Sequence, residues 1–184
     1  MSKAAKRSPY RSLKAVDESS DALHVVIETP RGCRNKFKFD EKLGVFRLNA
    51  ILPAGSVFPF DFGYVPGTRA GDGDPLDVLL LLDEPVFTGC VVRARLIGVL
   101  EGEQRDGGRT ARNDRLIGVA CDSHDHKNLT GMKDVDKHLR KEIEHFFVSY
   151  HELTNTRFKV LGYRGKKVAQ RLVVRAQRQA EKGA

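Results

Sequence analysis

Residues 58–82 read FPFDFGYVPGTRAGDGDPLDVLLLL, and the centre of this stretch, Asp72-Gly73-Asp74-Pro75-Leu76-Asp77, decides how the chain is read. Three carboxylates within six residues repel one another at neutral pH. A fold keeps them together only where cations, hydrogen-bond donors or water compensate. Carboxylate oxygens suit hard divalent ions such as Mg²⁺. Gly73 lets the chain bend tightly, and Pro75 fixes the turn into the next segment. Asp77 then opens the apolar run Val78–Leu82, which is short enough for a buried strand. Of the three aspartates it is expected to be the least exposed, where an uncompensated charge is costly. A lone Asp-x-Asp is most simply an acidic turn, but a third Asp entering a buried strand argues against that reading. A calcium helix–loop–helix is excluded, because Leu76 stands where a ligand is needed and Asp77 where the sharp turn needs Gly.

Outward from this turn the body reads mostly as strands. Leu23–Glu28 is a β-rich run ended by Pro30, and Lys36–Phe39 with Val45–Leu48 forms a hairpin around Lys42-Leu43-Gly44. Residues 90–100 and 115–120 are two further strands. Residues 104–113 (QRDGGRTARN) between them are charged and glycine-rich and read as a loop. Strands at this spacing predict a small closed five-stranded β-barrel, OB-like. From Asp134 to Leu153 the apolar residues Leu139, Ile143, Phe146, Phe147 and Tyr150 recur at helical spacing, with Asp134 or Asp136 as the cap. A second helix is expected from about Lys166 to Gln179, with Val168, Leu172 and Val173 inward. The fold class is therefore α+β, with two C-terminal helices on the barrel.

The chain has 184 residues, 40% of them hydrophobic and 30% charged, which suits one folded domain. Its net charge of +8 is uneven: residues 1–14 carry +5 and residues 159–184 carry +7, which leaves −4 for residues 15–158. Residues 1–14 are expected to be a basic flexible tail and 15–184 a single domain. An acidic body with basic ends, no Trp and four Tyr is a poor footprint for a nucleic-acid groove. No apolar stretch is long enough for a transmembrane helix, and no apolar segment follows the basic N-terminus as in a secretory signal. Cys33, Cys90 and Cys121 are few and far apart. They are expected to be reduced thiols of a cytoplasmic protein. His124-x-His126 beside Asp122 and Asp125 reads as a polar loop, since no third His or Cys stands at ligand spacing.

The DGDPLD segment followed by its apolar run resembles the signature of the soluble, magnesium-dependent inorganic pyrophosphatases with a barrel fold. The resemblance is wider than the motif. Ile27-Glu28-Thr29-Pro30 is similar to the family's first strand end, Arg34-Asn35-Lys36-Phe37 to its lysine-bearing strand, and Phe58-Pro59 with Phe62-Gly63-Tyr64 to the segment before the aspartates. Glu144-His145-Phe146-Phe147 and Tyr150 resemble its late helix. The match runs in order from about 23 to 152. It implies hydrolysis of pyrophosphate to two phosphates, with Mg²⁺ as cofactor, in a homo-oligomer away from membranes. It further implies Asp72 and Asp77 as metal ligands, Asp74 as acceptor of a proton from the attacking water, Lys36 and Tyr150 as phosphate-binding groups, and Glu28 as an acid at the cavity rim that binds metal or water.

The chain also departs from the resembled pattern. The family's arginine falls on Ala50, two of its tyrosines on Phe58 and Phe62, a carboxylate on Lys38, and the lysine after the helix tyrosine on His151. Its Asp-x-Lys appears as Asn113-Asp114-Arg115. Asn113, or Asp114 if the register differs by one, is the expected metal-side residue, with Arg115 on the phosphate side. Glu101, Glu103 and Asp106 are further candidates for the metal, and Arg47, Arg93 and Arg95 for phosphate. Two other readings stand beside hydrolysis of pyrophosphate. One is the same fold acting weakly or on another phosphoanhydride, and the other is a non-enzymatic barrel that binds nucleic acid.

Overall fold

The computed structural model describes residues 8–152 and 156–183. Among the described residues nine strands and two α-helices follow one another as β1 (Leu23–Thr29), β2 (Asn35–Asp40), β3 (Val45–Ile51), β4 (Asp61–Val65), β5 (Leu76–Leu81), β6 (Val91–Asp106), β7 (Arg109–Arg112), β8 (Arg115–Ala120), α1 (Lys137–Glu152), β9 (Arg157–Gly165) and α2 (Lys166–Lys182). The result is a mixed, sheet-dominated fold with two helices. Antiparallel pairing joins β1 to β4 and β4 to β5, β5 pairs β8 in parallel, β8 pairs β6, and β6 returns to β1. β2 and β3 form a separate hairpin.

The apolar run of β5 is buried on both faces, as an uninterrupted apolar strand requires. Val78 and Leu80 pack with Ala169, Val173 and Ala176 of α2, whereas Leu79 and Leu81 pack with Ile143 and Phe147 of α1. Strand alternation thus assigns one helix to each face. Helix α1 starts where Asp136 accepts the His138 N–H at 2.6 Å, an N-cap.

One expectation is corrected. Residues 104–113 are not a loop. β6 runs on to Asp106, turns at Gly107 and Gly108, both with positive φ, and pairs with β7 from Glu103↔Arg112 to Asp106↔Arg109. The glycines mark a two-residue hairpin turn, and the charges are the side chains of an exposed ribbon. Within the stretch expected as a basic tail, Tyr10 packs against the β2–β3 hairpin. The Tyr10 hydroxyl donates to the Gly89 carbonyl at 3.0 Å, and its ring meets Phe39 and Phe46 edge-on at 5.2 and 5.4 Å. Residues 1–7 of that stretch lie outside the described residues. Among the described residues no helix is long and apolar enough to cross a membrane.

His151 closes α1 inside the fold. It is 3% exposed, stacks on Phe158 with ring centroids 4.7 Å apart, and has Nδ1 2.7 Å from the Phe147 carbonyl. Burial pushes its pKa down to about 4, with the charges of Arg115 and Lys36 acting in the same direction.

Two stability predictions follow from this packing. A methyl group at Gly63 in β4 would overlap the Val26 carbonyl of β1. Gly63→Ala should therefore cost about 1–3 kcal/mol in urea unfolding; an unchanged midpoint would mean that β1 and β4 are not packed this closely. For His151, the unfolded chain takes up its proton near pH 6.5 and the folded chain only near 4, so stability falls as pH drops through that window. His151→Phe keeps the ring contact with Phe158. It should show a smaller loss of melting temperature between pH 6.5 and 4 than the parent chain, measured by calorimetry.

Candidate active site

The turn between β4 and β5 is built around its acids. Thr68 Oγ accepts the Leu76 N–H at 3.0 Å, and the Ala70 N–H bonds the Asp74 carbonyl at 2.7 Å. Gly73 takes φ +93°, a conformation that favours glycine, and the Asp74 N–H caps Asp72 Oδ1 at 3.1 Å. These bonds hold three carboxylates at the mouth of a cleft of about 1770 Å³. Asp72 and Asp74 are exposed, and Asp77, one residue into β5, is half-buried. It is the least exposed of the three, as expected. The best-buried acid of the cleft is Glu28 on β1, at 7% exposure. Its Oε1 accepts the Phe39 N–H at 2.8 Å, and burial, reinforced by Asp77, pushes its pKa up to about 7.

The opposite wall carries cations. Lys36 on β2 donates to the Tyr150 hydroxyl of α1 at 2.8 Å, and its Nζ lies 5.0 Å from the Tyr150 ring centroid. Phe58 and Phe146 pack against that ring, each at 5.8 Å. Phe58 thus supports Tyr150 by packing alone. Lys38 pairs with Asp74 at 2.6 Å, and Arg115, at the start of β8, pairs with Asp77 at 3.0 Å. Burial still raises the Asp77 pKa, against the charges of Arg115 and Lys36. Ala50 stands opposite Lys36 on β3, so no cation enters the cleft from that position. Arg47 lines the cleft nearby and bonds Asp40 at 3.0 Å.

Asn113 lines the cleft and Asp114 does not. The Asp114 carboxylate turns to the other side, where it accepts the Gly102 N–H at 3.1 Å and pairs with Arg112 at 2.9 Å. Adjacent residues entering β8 point in opposite directions, and of the two residues expected on the metal side Asn113 holds the inward place. Its amide donates to Gln104 Oε1, and its Oδ1 accepts from Arg115. Gln104 was not foreseen. Its signal was the pairing of β6 with β7, which sets residue 104 beside the start of β8 once 104–113 is read as a hairpin. Of the other candidates, Glu101 is held by Arg112 and Arg164, and Arg95 by the carbonyls of Lys127 and Leu129. Arg93 lies by Asp17 and Asp122. None of these three lines the cleft, nor does Glu103, while Asp106 reaches its outer rim. Among the described residues, no three His, Cys, Asp or Glu side chains converge as a ready-made metal cage.

Known proteins share both the sequence and this architecture. The family model described as inorganic pyrophosphatase matches residues 25–181. An inorganic pyrophosphatase of Thermus thermophilus is 37% identical over 162 residues, covering 86% of this chain and 90% of its own length. The crystal structure of inorganic pyrophosphatase from Thermus thermophilus superposes with a TM-score of 0.85 at 34% identity, covering 94% of this chain and 98% of that one. The Helicobacter pylori enzyme gives 0.82 at 33% identity, covering 92% and 99%. With the family match spanning most of the chain and full-length relatives above 30% identity, the chain belongs to the inorganic pyrophosphatase family.

Proposed function

We propose that this chain hydrolyses inorganic pyrophosphate to two phosphates, with Mg²⁺ as its cofactor. The observation that carries the reading is the meeting in one cleft of the Asp72–Asp77 turn with the Lys36–Tyr150 pair, whose members are 114 residues apart in sequence. The circuit of strand pairings that frames the cleft supports the small closed, OB-like barrel expected from the sequence. Family membership supports a homo-oligomer in the cytoplasm.

The donors of the Asp72–Asp77 turn fit a hard divalent ion, being carboxylate oxygens only. Asp72 and Asp77 would hold Mg²⁺, with Glu28 behind them. Bound there, the ion supplies a lowered pKa for water and charge neutralisation on the attacking and leaving oxygens. At the other end, Gln104, Asn113 and Arg115 do not fit a cation, since a guanidinium faces two neutral amides.

The protein's own groups divide the remaining work. Asp74 accepts the proton of the attacking water. Lys36 places a positive charge against phosphate, and the Tyr150 hydroxyl, held by Lys36, orients it. Arg115 contributes a fixed donor from the floor. Hydrolysis of another phosphoanhydride is the second reading, favoured by Lys38 and Asn113, which place a cation and an amide where the family pattern has carboxylates.

Phosphate release from pyrophosphate, tripolyphosphate and ATP, each with Mg²⁺ and with EDTA, separates these readings. Release from pyrophosphate alone, lost in EDTA, is expected. Release from ATP but not pyrophosphate would transfer the assignment to the second reading. Asp74→Asn should lower kcat about 10²–10⁴-fold, the usual contribution of a general base; near-parental kcat would remove Asp74 from that role. Lys36→Ala should raise KM and lower kcat together, because it removes charge from both bound substrate and transition state.

A further inference from the structure

Three positions lining the cleft set this chain apart from an all-carboxylate metal site. Lys38 reaches Asp74 at 2.6 Å. Gln104 and Asn113 bond to each other through their amides. Arg115 lies beneath Asn113, 7% exposed, and among the described residues its hydrogen bonds and ion pair leave from one nitrogen: Nη1 meets Asp77 at 3.0 Å, the Asp114 carbonyl at 3.2 Å and Asn113 Oδ1. The buried Nε of the same guanidinium has no partner among the described residues. A buried N–H left unpaired is costly, and sites that carry one are often completed by a ligand. The rings of Phe62 and Phe147 stand 5.8 and 5.6 Å from Arg115 Cζ and hold its plane. A phenol at position 62 would offer that guanidinium a competing oxygen, and phenylalanine does not.

Resting on the pyrophosphatase reading, we propose that this half of the cleft binds one phosphate group of the substrate directly, through the Nε edge of Arg115 with Lys38 and the Asn113–Gln104 amides, with no metal ion between protein and phosphate. Arginine suits this task because two N–H groups along one edge match two phosphate oxygens. Lys38 and Arg115 then do with fixed charge what a second set of acids would do by recruiting cations. Metal at Asp72 and Asp77 competes with Arg115 for Asp77, which turns more of the guanidinium toward phosphate. Substrate and the first metal ion are therefore expected to strengthen each other's binding, while a phosphate-like anion retains affinity when metal is absent.

The probe is methylenediphosphonate, whose P–C–P link is not hydrolysed, titrated calorimetrically into the full chain in EDTA and in Mg²⁺. The intact protein should bind it in EDTA, and Mg²⁺ should tighten binding further. Arg115→Lys keeps the charge that balances Asp77 but loses the two-nitrogen edge, so it should weaken binding in EDTA at least tenfold. Asn113→Asp should weaken binding in EDTA by a similar factor and raise the number of Mg²⁺ ions bound per chain, counted by equilibrium dialysis. Variants are compared only where their melting temperatures match the parent. No binding in EDTA alongside binding in Mg²⁺ would overturn the proposal, as would an Arg115→Lys variant that binds like the parent. Hydrolysis is scored separately. Metal-free binding without phosphate release in Mg²⁺ would remove the enzymatic reading and leave this one standing; release without metal-free binding would do the reverse.

Discussion

The ion pair between Asp77 and Arg115 is the constraint on which the cleft depends. β5 and β8 run in parallel with Val78 opposite Leu116, so the residues just before them, an aspartate and an arginine, enter side by side. Both open strands that are otherwise apolar and buried. Arg115 is buried and Asp77 half-buried, so each offsets part of the cost of desolvating the other. The pairing fixes where the acidic turn meets the far wall, and the remaining contacts are arranged around it. Tyr64 of β4 stands directly opposite Asp77, Phe62 and Phe147 flank Arg115, and Asn113 Oδ1 accepts from the guanidinium.

That geometry gives the cleft two unlike halves. One presents carboxylates that need a cation, and the other presents cations and amides that need an anion. The Lys38–Asp74 pair joins them at the mouth. Both of its side chains are about half exposed, so it contributes little to stability and is free to part when ligands enter. A pyrophosphate anion with a divalent ion matches this polarity from end to end.

Much of this was legible in the sequence because the relevant signals are local. DGDPLD before an apolar run places a turn and a buried strand without tertiary information, and the spacing from Leu139 to Tyr150 gives the inward face of α1. The family pattern supplied Lys36 and Tyr150, whose contact crosses the whole fold. Four features were hidden for physical reasons. β4 is only five residues long and contains Asp61 and Gly63, so alternation does not announce it. The β6–β7 ribbon is charged on exposed faces, so its strand character comes from backbone pairing rather than from any apolar face. Whether Asn113 or Asp114 faces the cleft depends on the register at which β8 begins, and a change of one residue reverses the answer. His151 gave no sequence signal of burial, since its place is set by Phe158 from a strand that the sequence did not reveal.

The central claim is that metal belongs to the Asp72–Asp77 end of the cleft and not to the Gln104–Asn113 end. Anomalous diffraction from crystals soaked in Mn²⁺ in place of Mg²⁺, with methylenediphosphonate present, tests it directly. The account predicts manganese density in contact with Asp72 and Asp77, and phosphonate oxygens against Arg115 with no manganese between them. Manganese bound by Asn113 and Gln104, or none at Asp72 and Asp77, would contradict it.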